Sequence, residues 1–183
     1  MMKVCTFLTD GFETVEALAV VDILRRAGII VDTVSISGNK EILSAQNITV
    51  TADYVMNDYK FDDADVLFLP GGGGHKNYRK CQPLIDVVKK YNDEQKRIAA
   101  ICAAPSFLGM LGILDGKKAT CFPGYEQELT GAEVVNAKVV TDGNITTAKG
   151  MGVSIDLGLE LVSLLVDEKK AEEIGQTIQF LEK

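Results

Sequence analysis

Cys102 ends an apolar run, Ile98-Ala99-Ala100-Ile101, and is followed by Ala103-Ala104-Pro105 and a helical pattern over residues 106–111. The layout is a strand-to-helix elbow with a thiol at its tip. A tight elbow needs small residues two before and two after the nucleophile, and Ala100 and Ala104 meet that need. Pro105 fits the first turn of a helix, where its missing N–H costs nothing. A cysteine at a helix N-terminus is favoured as thiolate by the dipole and by free backbone N–H groups. The local pattern leaves a second reading open, an inert buried cysteine closing a core strand.

A second group with chemical potential lies far upstream. Glu16 is in line with Val20, Ile23 and Ala27, offsets that share one helical face. A carboxyl on an apolar stripe is costly unless paired or protonated, so desolvation should raise its pKa. A protonated carboxyl can donate a hydrogen bond to a thiolate. The alternative is a first-turn acid satisfied by solvent or an arginine, and Glu13, one turn earlier, fits that role. Pro70-Gly71-Gly72-Gly73-Gly74 breaks a buried strand pattern; it reads as a sharp turn or as N–H groups directed at an anion. No Gly-Lys-Ser/Thr follows, and no G-x-G-x-x-G opens a helix after the first strand, so neither a phosphate loop nor a nicotinamide site is expected.

His75, the single histidine, follows the glycine run. It reads as a solvated loop residue, with the role of base to a nearby thiol as the sharper alternative. Asp62, Asp63 and Asp65 read as a solvated turn rather than a metal site. The cysteines at 5, 81, 102 and 121 show no metal spacing. Cys5 is read as inert core, and Cys121 as packing or a resolving thiol.

These groups need a scaffold. Strand patterns over residues 3–8, 29–36, 64–69 and 97–101 alternate with helical patterns over 13–27, 84–91, 153–166 and 167–181. Residues 42–55 read as short strands turning at Asn47, and 134–140 with 145–148 as a hairpin around Asp142-Gly143. The terminal helix carries an apolar stripe of Ala171, Ile174, Ile178 and Leu181. Alternation with buried strands implies an α/β fold with a largely parallel sheet, whose ligands bind at the carboxyl ends of the strands. Those ends are the loops after Leu8, Leu69 and Ile101. The 183 residues fit one domain, 1–183, and 46% hydrophobic with 25% charged residues is a globular composition. A net charge of −7 argues against nucleic-acid or anionic-membrane partners. No run reaches the length of a membrane span, no signal-peptide pattern opens the chain, and a reduced, cytoplasmic setting is expected. The first helix is apolar on more than one face (Val15, Leu18, Ala19, Val20, Val21, Ile23, Leu24), which points to a homodimer.

Four segments together resemble the ThiJ/PfpI superfamily: Gly11-Phe12-Glu13-Thr14-Val15-Glu16, Asp22 through Gly28, Leu69-Pro70-Gly71-Gly72, and Ala99 through Pro105. Lys149-Gly150-Met151-Gly152-Val153-Ser154 fits the small-residue segment before that family's late helix. The resemblance implies a flavodoxin-like three-layer sandwich and homodimers. It implies that Cys102 is an oxidation-prone nucleophile of low pKa, that Glu16 is its protonated partner, and that N–H groups at Gly71, Gly72 and Ala103 form an anion pocket. It also implies cofactor-independent action on small α-oxoaldehydes (glyoxalase or deglycase chemistry), or a redox-sensing chaperone that binds client proteins. Two departures narrow this. Phe122 stands where one branch carries a histidine, and Ala103 follows the cysteine where the peptidase branch has histidine. No histidine follows position 75, so a late His-x-Glu pair of amidotransferase type is absent. These readings make Cys102 the first thiol to oxidise. Mild peroxide followed by peptide mapping is expected to place sulfinate on Cys102 before Cys5, Cys81 or Cys121 react; earlier oxidation of Cys81 or Cys121 refutes it.

Overall fold

The computed structural model describes residues 2–182. Strand β1 (Lys3–Leu8) leads through a short loop into α1 (Thr14–Arg26) and back into β2 (Ile30–Ser35). Helix α1 starts where the Glu13 carboxylate caps the Glu16 N–H at 2.7 Å, and stops before Gly28, whose φ of +78° suits glycine. The excursion that follows is β3 (Glu41–Leu43) and β4 (Thr49–Thr51), turning at Asn47, and then β5 (Tyr54–Val55), which joins the main sheet. Next come β6 (Val66–Leu69), α2 (Gln82–Asp93), β7 (Arg97–Ile101) and α3 (Pro105–Met110). The chain ends through β8 (Lys118–Ala119), β9 (Glu133–Val134), β10 (Val139–Asp142), β11 (Ile145–Ala148), α4 (Ser154–Leu165) and α5 (Glu168–Thr177).

Seven strands form the central sheet in the order β10-β11-β7-β6-β1-β2-β5. All neighbours are parallel except β10 with β11. The chain leaves β1 toward β2 on one side and returns to β6 on the other, so the sheet order reverses between β1 and β6. Strand β6 and residues 98–101 of β7 are apolar on both faces because helices cover both. In β6, Val66 and Phe68 pack with α1, α4 and α5, whereas Leu67 and Leu69 pack with α2 and α3. In β7, Ala99 and Ile101 face the first layer, Ile98 and Ala100 the second. The fold is a flavodoxin-like three-layer α/β sandwich.

Two boundaries differ from the sequence reading by more than two residues. Val134 lies in β9, paired with β8 away from the hairpin, which is confined to β10 and β11. The terminal helix stops at Thr177; Gln179 takes a left-handed φ of +60°, and the Phe180 and Leu181 N–H groups both turn back onto the Gly175 carbonyl. Leu181 therefore leaves the apolar stripe of Ala171 and Ile174. Helix α3 begins at Pro105, and Cys102 sits in the turn before it.

Helix α1 crosses α4 closely at Gly158, where a Cβ would lie 2.8 Å from Ile23 Cδ1. That contact sets the depth of the helix carrying Glu16. Gly158→Val is expected to lower stability by about 1–3 kcal/mol through overpacking against Ile23, read by chemical denaturation; an unchanged midpoint contradicts the close crossing.

Candidate active site

The loops after β1, β6 and β7 meet at the carboxyl edge of the sheet. From the last of them Cys102 projects with φ +65°, a left-handed conformation uncommon for a residue with a side chain. Hydrogen bonds hold it there on both sides: its N–H donates to the Ala148 carbonyl at 2.9 Å and its carbonyl accepts the Phe122 N–H at 2.8 Å. The elbow aims the sulfur, partly exposed, at Glu16 on α1.

Glu16 is only 1% exposed. Its carboxyl meets the Cys102 thiol, accepts the Gly71 N–H at 2.9 Å, and receives a further N–H from Met151. Gly71 must be glycine for steric reasons: a Cβ there would lie 2.6 Å from both Cys102 Cβ and Glu16 Oε2. Gly72 has φ +86°, and a Cβ would strike the backbone of Gly11, Phe12 and Glu13. The glycine run thus lets two loops pack backbone to backbone.

Burial pushes Glu16 up to about 7; its hydrogen bonds to Cys102 and Gly71 pull the other way, and the nearby Glu13 adds to the rise. The influences on the thiol run opposite to the low pKa that the resemblance implies. Burial first, then the facing Glu16 charge, push Cys102 up to about 12, while the N–H groups of Gly72 and Ala103 directed at sulfur lower it. The two groups titrate as one unit. Two protons are held below neutrality. Above it the pair holds one proton.

The structure brings together Cys102, Glu16, Gly71, Gly72 and Ala103. Gly71 takes a different part from the one expected, because its N–H is used by Glu16; Gly72 and Ala103 supply the donors to sulfur. His75 is not solvated. It is 2% exposed, its Nδ1–H donates to the Gly72 carbonyl at 2.8 Å, and its ring meets Tyr125 edge-on. Burial lowers its pKa, so it is neutral at pH 7, and its ring bonds to backbone rather than to sulfur. Phe122 is exposed; its ring lies against Gly150, 3.2 Å from where a Cβ would stand. Cys5 and Cys121 are buried. Met151, within the small-residue segment 149–154, reaches Glu16 through packing between distant segments that residue spacing alone does not show. Among the described residues, no cluster of three or more His, Cys, Asp or Glu side chains is placed to hold a metal ion. A separate cleft of about 600 Å³, lined in part by Thr9, Asp10, Lys80 and Cys81, includes neither Cys102 nor Glu16.

The DJ-1/PfpI family model matches residues 2–164. Protein DJ-1 homolog B of Arabidopsis thaliana is 35% identical over a stretch covering 94% of this chain, and that stretch spans 40% of the relative's own length. A deglycase of Pyrococcus abyssi is 31% identical, covering 90% of this chain and 99% of its own. Among solved structures, oxidized DJ-1 of Toxoplasma gondii is similar with a TM-score of 0.95 at 27% identity, both chains being covered in full.

The raised Glu16 pKa carries a stability consequence. The folded chain keeps a proton on this carboxyl up to about pH 7, whereas an unfolded glutamate releases it near 4.5. Between those values the native state binds more protons, so this group's contribution falls as pH rises and is flat above the window. Glu16→Gln, which keeps an acceptor for the Gly71 N–H, is expected to gain stability relative to wild type between pH 4 and pH 8 in denaturant titrations. A gap independent of pH contradicts the assignment.

Proposed function

The chain belongs to the DJ-1/PfpI family, and on that premise we propose that it is a cofactor-independent cysteine enzyme acting on small α-oxoaldehydes such as methylglyoxal. The observation that carries this reading is the buried Glu16 carboxyl on the Cys102 thiol, a nucleophile and a proton carrier matched to neutral pH. The deglycase name of the Pyrococcus abyssi relative points the same way.

In this mechanism Glu16 takes the thiol proton as sulfur attacks the aldehyde carbon. The new C–S bond gives a hemithioacetal, and Glu16 returns the proton to the developing alkoxide. Gly72 and Ala103 offer backbone N–H groups on the sulfur side, where negative charge develops as the proton leaves. Glu16, ionised again by that return, moves the hydrogen from the aldehyde carbon to the neighbouring carbonyl carbon through an enediol, while the hydroxyl proton passes from the first oxygen to the second. The product is a thioester of a 2-hydroxy acid. Water cleaves it, releasing the acid and restoring the thiol, with no net oxidation or reduction.

A second reading is a redox-responsive binding protein, in which Cys102 oxidised to sulfinate alters the capture of client proteins. Phe122 favours it: an aromatic ring beside Gly150 transfers no proton, so the site has one acid–base group where a histidine would give two. A homodimer accompanies either reading. Val15 is exposed, and Leu18 and Ala19 are only half covered, on the helix that carries Glu16.

Steady-state kinetics on methylglyoxal, with the product identified by NMR, separate the readings. Cys102→Ser should abolish turnover. Glu16→Ala should lower it by about 10²–10⁴-fold, the usual contribution of a positioned acid–base group. Phe122→His should leave it intact or raise it. Wild type without turnover, with client binding that changes when Cys102 is oxidised, selects the second reading; turnover that survives Cys102→Ser overturns the first.

A further inference from the structure

We propose that His75 and Ser106 are positioning residues, one for each of the two peptide N–H groups directed at the Cys102 sulfur, with Arg79 holding Ser106 in place. The inference rests on Cys102 being the reacting group, as above, and is independent of the substrate.

The two donors are held in the same way. Gly72 and Ala103 each supply an N–H to sulfur. The peptide plane carrying each N–H is fixed at its carbonyl by a backbone bond: Gly71 O accepts the Glu13 N–H at 3.1 Å, and Cys102 O accepts the Phe122 N–H at 2.8 Å. The following plane is fixed by the residue three positions on, through both its backbone and its side chain. Gly72 O accepts the His75 N–H at 3.2 Å and Nδ1–H at 2.8 Å. Ala103 O accepts the Ser106 N–H at 3.1 Å and the hydroxyl at 2.7 Å. With the planes on both sides set, the φ and ψ of Gly72 and Ala103 are set, and so is the direction of their N–H groups.

Both side chains are buried, His75 at 2% and Ser106 at 0% exposure. Burying polar groups is costly, and an apolar residue would fill the space without that cost. What the polar atoms add is these two bonds. Arg79 completes the arrangement by donating to Ser106 Oγ at 3.0 Å, which leaves the hydroxyl hydrogen for Ala103. Its other partner is Glu128. His75 and Arg79 come from one 3₁₀ segment, Gly73–Lys80, which also donates the Tyr78 hydroxyl to the Pro70 carbonyl at 2.8 Å. That segment braces both loops. His75 acts as a neutral donor; the charged groups around it are Lys76, Arg79 and Glu128, and the titratable group facing Cys102 is Glu16.

The test is the pH profile of Cys102 alkylation by iodoacetamide, followed by peptide mass spectrometry, which needs no substrate. Loss of one directed hydrogen bond to a charged sulfur should slow alkylation near neutral pH by about tenfold and move the profile upward by roughly one pH unit. His75→Leu and Ser106→Ala should each show this. His75→Asn, which returns an N–H toward Gly72, and Ser106→Thr should restore the wild-type profile. Tyr91→Phe removes buried hydroxyl bonds to Phe61 and Ala64 elsewhere in the fold and serves as the control for lost stability alone. It should leave the profile in place. Wild-type profiles in folded His75→Leu and Ser106→Ala overturn the proposal, as does an equal shift in Tyr91→Phe. Should His75→Leu fail to fold, Ser106→Ala decides alone. A protein inactive on α-oxoaldehydes that shows these shifts contradicts the proposed reaction and leaves the positioning role standing.

Discussion

A buried carboxyl set against a thiol is the interaction on which the site depends. Neither Glu16 nor Cys102 gains from being charged in that environment, because burial is the largest influence on both. Together they avoid holding two charges, since a single proton serves the pair above neutrality. A thiol pushed upward is a poor nucleophile by itself. Beside a carboxyl poised near neutrality it becomes a thiol with a built-in base, and the backbone N–H groups of Gly72 and Ala103 favour the charge once it forms.

The fold makes that contact possible by bringing three loops to one edge. Glu16 comes from the helix after β1, Gly71 from the turn after β6 and Cys102 from the elbow after β7, and these strands are neighbours in the sheet. Space is the limiting quantity. Gly71 has no room for a Cβ between sulfur and carboxyl, and Gly72 has none against the Gly11-Phe12-Glu13 backbone. Two turns further along the same face of α1, Gly158 allows α4 to approach Ile23. The glycines therefore set the distances and the polar side chains set the directions.

Much of this was readable from residue types and spacing. Cys-Ala-Ala-Pro after the apolar run Ile98-Ala99-Ala100-Ile101 describes an elbow because small residues are needed two before and two after its tip, and a left-handed Cys102 is its geometric signature. Glu16 was visible because its offsets to Val20, Ile23 and Ala27 leave a carboxyl on a buried face. What stayed hidden depends on contacts between distant segments. His75 reads as loop because it follows glycines; only the folding of Gly73–Lys80 over the Pro70-Gly71-Gly72 turn buries it. The direction of the Gly71 N–H, and the arrival of Met151 at Glu16, are likewise products of long-range packing. The same limit explains the thiol. A cysteine near a helix start favours thiolate, but burial and a facing acid outweigh a helix that begins three residues later and runs from Pro105 to Met110.

The most direct test of the carboxyl–thiol pair is infrared difference spectroscopy of the carboxylic-acid C=O stretch, wild type minus Glu16→Gln, across pH. The account predicts a protonated carboxyl band assigned to Glu16 that persists past the ordinary glutamate value of 4.5, titrates near 7 and changes when Cys102 is replaced by alanine. A Glu16 band lost near pH 4.5, or one indifferent to Cys102, would contradict it.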